Sequence, residues 1–186
     1  MQYRKTNLRV YIMDYFACVP LVIEYYNLPI SEIHERLYAL LARHSKKELS
    51  EAIGINPSGF YCYFEGHRRI CFPYFIKLMT LDECNPDYKK YAGVLKLLNR
   101  YDKIPIHEKK EKVRSMSRTY GFPALSAMSG VQEATLHFYI SKNCKKIPFD
   151  KYVCIITASR NETVAIPEKK SKKEELIIEL RKKLTS

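Results

Sequence analysis

The sequence contains no run of eighteen apolar residues, so we expect no membrane-spanning helix. The apolar stretch 10–23 is interrupted by Asp14 and Pro20 and lacks a small-residue cleavage site. It is therefore interpreted as a core helix rather than a secretory signal. The sequence also lacks a glycine-rich phosphate loop and a nucleophile elbow. It shows no recognisable set of catalytic residues for cleaving a DNA strand. These absences make an enzyme the weakest hypothesis.

The six cysteines include no C-x-x-C pair, which argues against zinc because zinc ligands occur in closely spaced pairs. Most of them lie among apolar residues and are predicted to be buried free thiols in a reducing cytoplasm. We therefore expect neither a metal nor a cofactor, and a cytoplasmic location.

No segment alternates polar and apolar residues with the period of two that marks a strand, so the fold is predicted to be all-α. The chain has 186 residues, of which 46% are hydrophobic, and this is enough to bury real cores in one or two domains.

The net charge of +12 favours a polyanionic partner, with nucleic acid first and an acidic membrane surface second. A basic protein without such a partner is the alternative. The charge is unevenly spread, because residues 1–90 carry 12 basic and 10 acidic residues whereas 91–158 carry 12 and 5.

The chain repeats itself, with Tyr15 aligned to Tyr91 at the start of the repeat. Without a gap, 11 of the 55 positions in 15–69 are identical to their counterparts in 91–145, against about 3 expected by chance for such compositions. One extra residue after Lys145 then restores the matches Ile70/Ile147 and Phe72/Phe149. This pattern indicates a tandem duplication of one helical domain.

Helix-start and helix-stop residues divide the first copy into short helices. Ser31 is expected to cap the second helix. Ser45 and Glu48 form a capping-box pattern at the start of the third, which Gly54 ends. Asn56 is expected to cap the fourth.

The stretch 46–69, KKELSEAIGINPSGFYCYFEGHRR, has the pattern of two short helices that cross at a tight turn. The small residue Ser50 lies four positions before Gly54, and this glycine is expected to supply the positive φ of the turn. Apolar residues flank the turn and line the inner face of the second helix, namely Leu49, Ile53, Ile55, Phe60 and Tyr63. The second copy repeats the pattern with Leu125, Ser126, Gly130, Val131, Leu136 and Tyr139. There Phe122-Pro123 replaces the capped entry, which predicts a shorter or tilted first helix.

This pattern resembles a helix-turn-helix of the lambda-repressor/Cro type, and GFYCYF is also similar to the second helix of tetracycline-repressor-type motifs. The resemblance covers the motif in each copy rather than the whole chain, and it implies that the second helix enters the major groove of double-stranded DNA. The base-facing positions that it implies are Asn56, Pro57, Ser58, Tyr61 and Cys62 in the first copy, and Gln132, Glu133, Ala134, His137 and Phe138 in the second. For Asn56, a cap alone and a cap with a base contact are both open.

Phosphate contacts are expected at the margins of the two motifs, because basic side chains there reach the DNA backbone. The candidates are Lys46, Lys47, His67, Arg68 and Arg69 in the first copy, and Lys142, Lys145 and Lys146 in the second. Ordinary solvated loops are the alternative interpretation.

Three segments are predicted: a first helix-turn-helix domain at 1–85, a second at 86–160, and a basic amphipathic C-terminal helix at 161–186. The last has Leu176, Ile177, Leu180 and Leu184 on one stripe. Packing on its own domain, self-association and a contact with the DNA backbone are all open for it.

The sequence therefore predicts a DNA-associated protein, a transcription regulator that reads two dissimilar half-sites of double-stranded DNA about one helical turn apart, or a multiple of that. An architectural or locus-marking DNA binder, serving partition, recombination or the coating of repeated DNA, is the alternative within this class. A helical protein-interaction module is the alternative outside it.

Overall fold

A computed structural model describes residues 15–64 and 68–160, and within them the chain is helical with no strand. The helices are α1 (Val19–Asn27), α2 (Ile30–Leu41), α3 (Lys46–Ile53), α4 (Pro57–Phe64), α5 (Phe72–Met79), α6 (Tyr88–Asp102), α7 (Ile106–Tyr120), α8 (Phe122–Ser129), α9 (Glu133–Ile140) and α10 (Phe149–Thr157), followed by a 3-10 turn (Ala158–Arg160). The all-α prediction is confirmed for this part of the chain. The predicted C-terminal helix at 161–186 and His67 lie outside the described residues.

The helix bounds of the two halves match in the register found in the sequence. Helices α3 and α8 begin and end at aligned positions of the repeat, and so do α4 and α9. Helices α5 and α10 begin at the aligned residues Phe72 and Phe149, once the extra residue of the second copy is allowed for. Because the identical residues are a minority of these positions, the shared helix bounds are set by the pattern of apolar and capping positions rather than by identity.

A buried tyrosine makes the same hydrogen bond in each half. The hydroxyl of Tyr25 donates to the carbonyl oxygen of Ile70, and the hydroxyl of Tyr101 donates to that of Ile147. Both rings also pack on the last helix of their half, since Tyr25 lies 5.3 Å from Phe72 and Tyr101 lies 5.3 Å from Phe149. Each tyrosine therefore ties the first helix of its half to the segment that precedes the last.

The start of α3 has the predicted capping box. The Glu48 backbone N–H donates to Ser45 Oγ at 3.2 Å, and the Ser45 N–H donates to the Glu48 carboxylate at 2.7 Å. This second bond lowers the pKa of the Glu48 carboxyl. Gly54 then ends the helix with φ of 73°, as predicted.

The cap predicted for α2 is wrong, and so is the shorter of the two alternatives, shorter or tilted, predicted for α8. Helix α2 begins at Ile30 with Pro29 as its N-cap, so Ser31 is already inside the helix and does not cap it. Helix α8 has as many residues as α3, so it is not shorter. Gly121 precedes α8 as its N-cap residue, and its φ of 75° turns the chain sharply into the helix without a side-chain cap. Pro123 lies in the first turn of α8, where its lack of a backbone N–H costs nothing.

The buried side chains of the two halves form one continuous hydrophobic core. Helix α5 packs on α6, α10 packs on α1, and α5 and α10 pack on each other. At the centre, the rings of Phe72 and Phe149 stack with centroids 6.3 Å apart and planes only 4° from parallel. We call the contact surface between α1, α5, α6 and α10 the aromatic seam, because aromatic rings fill it.

A buried polar contact crosses the aromatic seam, and the equivalent positions cannot repeat it. The hydroxyl of Tyr26 donates to the carboxylate of Asp150, which is buried. Burial, and next the charge of Asp150, raise the pKa of Tyr26. The positions equivalent to this pair are Asp102 and Pro73, which cannot form the same bond. The contact therefore distinguishes one half from the other.

The cysteines agree only in part with the prediction of buried thiols. No disulfide joins them in the described residues, but Cys62, Cys71 and Cys84 are exposed rather than buried. Cys62 lies on the outer face of α4, and the other two flank α5 in loops, where the apolar character of the local sequence does not decide burial. Burial raises the pKa of the deeply enclosed Cys154 to about 12.

We predict that Phe72→Ala and Phe149→Ala each lower the free energy of unfolding by about 3–5 kcal/mol, because each removes a fully buried ring. The double variant is expected to cost less than the sum by about 0.5–1.5 kcal/mol, since the stacked pair is lost once only. Urea unfolding followed by circular dichroism measures all three. Phe138→Ala, at an exposed ring, is the control and should change stability by less than about 0.5 kcal/mol. Strict additivity of the two core variants would contradict a shared seam.

We predict that raising the pH above about 10 lowers the stability of the fold. Burial raises the pKa of Tyr25 and Tyr101, so these hydroxyls stay protonated in the folded state while unfolded tyrosine ionises near 10. Each such tyrosine lowers the free energy of unfolding by about 1.4 kcal/mol per pH unit above that value. Urea midpoints measured on either side of that pH test this. Tyr101→Phe should flatten the slope, and an unchanged slope would rule out this origin.

Candidate nucleic-acid interface

Helices α4 and α9 present apolar side chains to their own halves. Phe60 and Phe64 are buried on α4, and Leu136 and Tyr139 are buried on α9. The main packing partners of α4 are α2 and α3, and those of α9 are α7 and α8. Both helices therefore pack away from the aromatic seam, each as the outer member of a helix pair.

The outer faces of the two helices carry all ten residues that the sequence predicted to face bases. Each of these ten side chains is exposed, namely Asn56, Pro57, Ser58, Tyr61, Cys62, Gln132, Glu133, Ala134, His137 and Phe138. Two are large apolar groups in water, Tyr61 at 46% exposure and Phe138 at 52%. The division of the aromatic residues into an inner and an outer face agrees with the sequence pattern.

Asn56 caps α4, as predicted. Its Oδ1 accepts a hydrogen bond of 2.6 Å from the backbone N–H of Gly59. The equivalent Gln132 is the N-cap residue of α9 but makes no side-chain cap bond. The longer side chain of Gln132 is thus not committed to its own helix.

A lysine lies over the ring of the exposed tyrosine in the first half. The Nζ of Lys46 lies 4.6 Å from the ring centroid of Tyr61, a cation–π distance. Pro57 and Ser58 complete a groove between the starts of α3 and α4 with these two side chains. The groove joins a positive charge to an aromatic face.

The second half has a contact at the same two positions with different chemistry. Phe122 and His137, which correspond to Lys46 and Tyr61, stack with centroids 3.8 Å apart and planes 21° from parallel. His137 Nε2 also lies 3.6 Å from a carboxylate oxygen of Glu133, one turn earlier on α9. The first half therefore presents a cation and a phenol where the second half presents an imidazole beside a carboxylate.

Among the marginal basic residues that the structure describes, all but Arg69 are exposed. The side chains of Lys46, Lys47, Arg68, Lys142, Lys145 and Lys146 are all exposed. Lys47 lies 4.0 Å from Glu51, a long contact between two solvated groups that leaves its charge largely uncommitted.

Arg69 departs from the prediction of a phosphate contact. Its guanidinium donates 2.7 Å hydrogen bonds to the carbonyl oxygens of Tyr25 and Leu28, and it lies over the Tyr25 ring. These carbonyls are at the end of α1, where the helix leaves its last acceptors without backbone partners. Arg69 is therefore a structural residue that caps α1, and Arg68 alone of this pair is exposed.

The sequence pattern missed the side chains that hold the ends of α4 and α9. The hydroxyl of Tyr38 donates to the carbonyl of Phe64 at 2.8 Å, and at the equivalent positions Arg114 Nη2 donates to Ile140 at 3.3 Å. Lys110 adds a 2.8 Å bond to the carbonyl of Ser141. The alignment of the two copies was the signal in the sequence that could have pointed to these residues, because Arg114 and Tyr38 occupy equivalent positions.

Comparison of the chain with protein-family models, with curated proteins and with solved structures gave no match. Within 15–64 and 68–160, no helix is both long and apolar enough to cross a membrane. In the same residues, no three histidine, cysteine or acidic side chains come close enough to hold a metal ion.

We predict that the two neighbouring arginines separate by function. Arg69→Ala should lower the free energy of unfolding by about 2 kcal/mol, because two carbonyls at the end of α1 lose a charged donor. Arg68→Ala, at an exposed side chain, should change it by less than about 0.5 kcal/mol. Paired urea titrations measure both. Equal effects of the two substitutions would be inconsistent with the cap.

Proposed function

We propose that the protein binds double-stranded DNA in a sequence-specific manner through α4 and α9 and regulates transcription. The observation that carries the proposal is that equivalent positions of the two halves each hold a helix with an exposed outer face and an apolar inner face. An outer helix with an exposed N-terminal half suits insertion into the major groove, which is wide enough for one α-helix.

Each proposed head combines groups that read base edges. In the first, the phenol ring of Tyr61 can pack on a thymine methyl, and the Asn56 amide nitrogen can donate while its oxygen caps the helix. In the second, Gln132 suits adenine and Glu133 accepts from the cytosine amino group. Since the two sets differ, we expect two unequal half-sites.

The charge around the heads supports backbone contacts. Exposed lysines follow α9 in the second half at Lys142, Lys145 and Lys146, and Lys46, Lys47 and Arg68 flank α4 in the first. Opposing acidic groups close to these residues are few, with Glu51 beside Lys47 the one ion pair that involves them in the described residues. Such positions suit phosphates, which fix register but carry no base information.

We predict that selection from random double-stranded DNA enriches a defined sequence, and that log affinity for it falls linearly with log salt. Each neutralised phosphate adds about 0.9 to the slope. Fluorescence anisotropy between about 50 and 200 mM salt measures the slope for the full chain.

Two variants separate reading from backbone contact. Tyr61→Ala should lose about 1–3 kcal/mol of discrimination at one position of the site, whereas Lys145→Ala should weaken all sequences alike and reduce the slope by about 1. Lys96→Ala removes one charge from an exposed site on α6, outside both helix pairs, and is the matched control. Failure to enrich any sequence, together with affinity independent of salt, would refute the proposal.

A further inference from the structure

Two ring contacts across the aromatic seam form an exchanged pair. Tyr15 of the first half lies 6.0 Å from Tyr152 of the second, with planes 76° apart. Tyr91 of the second half lies 5.9 Å from Phe75 of the first, with planes 88° apart. Tyr15 and Tyr91 are equivalent positions, and so are Phe75 and Tyr152. The same edge-on contact is thus made twice with the roles of the halves interchanged.

Helix packing follows the same rule. Helix α5 of the first half packs on α6 of the second, and α10 of the second half packs on α1 of the first. Helices α1 and α6 contain equivalent residues, such as Tyr25 and Tyr101, and α5 and α10 are equivalent too. Each half therefore offers the other the same two helices.

The stacked pair at the centre identifies the symmetry. Phe72 and Phe149 are equivalent residues that contact each other, with planes 4° from parallel. In a head-to-tail arrangement a residue meets a different position of the next copy. Only an isologous arrangement, with a twofold axis between the copies, brings a residue against its own counterpart and exchanges all other contacts in pairs.

We propose that the two halves form a twofold pseudo-dimer within one chain, and that the DNA site which it reads is an inverted repeat of two unequal half-sites. This inference rests on the proposed DNA binding. B-form DNA has local twofold axes perpendicular to its length, so heads related by a twofold meet half-sites that run in opposite directions. A direct repeat presents its second half-site in the orientation that the second head does not match.

The two proposed DNA-reading helices, α4 and α9, lie outside the contact surface that contains this axis. Helices α4 and α9 take their main packing partners from their own halves, and the seam is made by α1, α5, α6 and α10. Because the contact Lys46–Tyr61 differs from Phe122–His137, the two half-sites of the DNA should differ in sequence. The protein should then bind the DNA in one preferred orientation.

The test uses the full chain and the sequence enriched by selection from random DNA. Hydroxyl-radical footprints with Tyr61→Ala and with Phe138→Ala assign one half-site to each head, because both residues are exposed and their loss leaves the core intact. Four duplexes are then compared at one salt concentration: the selected site, the same site with one half reversed to a direct repeat, and two sites in which either half is duplicated as an inverted repeat.

We expect reversal of one half to weaken binding about 100-fold, since only one head can then engage and the gain from linkage is lost. The two inverted repeats with a duplicated half-site should bind more weakly than the selected site and more tightly than the direct repeat. Equal or tighter binding to the direct repeat, or a footprint confined to one half-site, would overturn the inverted-repeat inference and leave sequence-specific binding standing. Absence of any enriched site would overturn both.

Discussion

The contact between Phe72 and Phe149 is the constraint on which the arrangement of the chain depends. Both rings are fully buried, and each also packs on the tyrosine that ties the first helix of its half to the segment before the last. Burial of an aromatic ring contributes several kcal/mol and requires close shape matching. Because each half buries its ring against the ring of the other, the two halves share one core at this point.

From that seam, the structure becomes progressively less symmetric toward the surface. The tyrosine hydrogen bonds to Ile70 and Ile147 are the same in both halves. The buried contact of Tyr26 with Asp150 occurs once, and the outer faces of α4 and α9 carry different chemistry. Core positions tolerate little change in shape, whereas exposed positions vary at small cost, so the two surfaces can diverge while the central ring contacts stay matched.

Most of the helical organisation was predictable from the sequence, because it depends on local chemistry. Ser45 with Glu48, Gly54 and Asn56 act where the pattern placed them, since caps and turns involve residues only a few positions apart. The full length of α8 was not predicted, because Gly121 replaces a side-chain cap with backbone geometry. At the candidate interface, exposure of the ten outer residues followed from helical periodicity, but Arg69 did not, because its partners lie far away in the chain.

Alignment of the chain with itself reveals the repeat that begins at Tyr15 and again at Tyr91. Neighbouring residues alone are enough to specify that the described chain is helical and that α4 and α9 each have an apolar and an exposed face. These properties follow from periodicity and local capping. Long-range packing is what establishes that the halves meet through equivalent rings, that Arg69 closes α1 and that Tyr38 and Arg114 hold the ends of α4 and α9. Such contacts join residues distant in the chain, and a repeat in sequence is equally compatible with head-to-tail and twofold packing until the buried surfaces are matched.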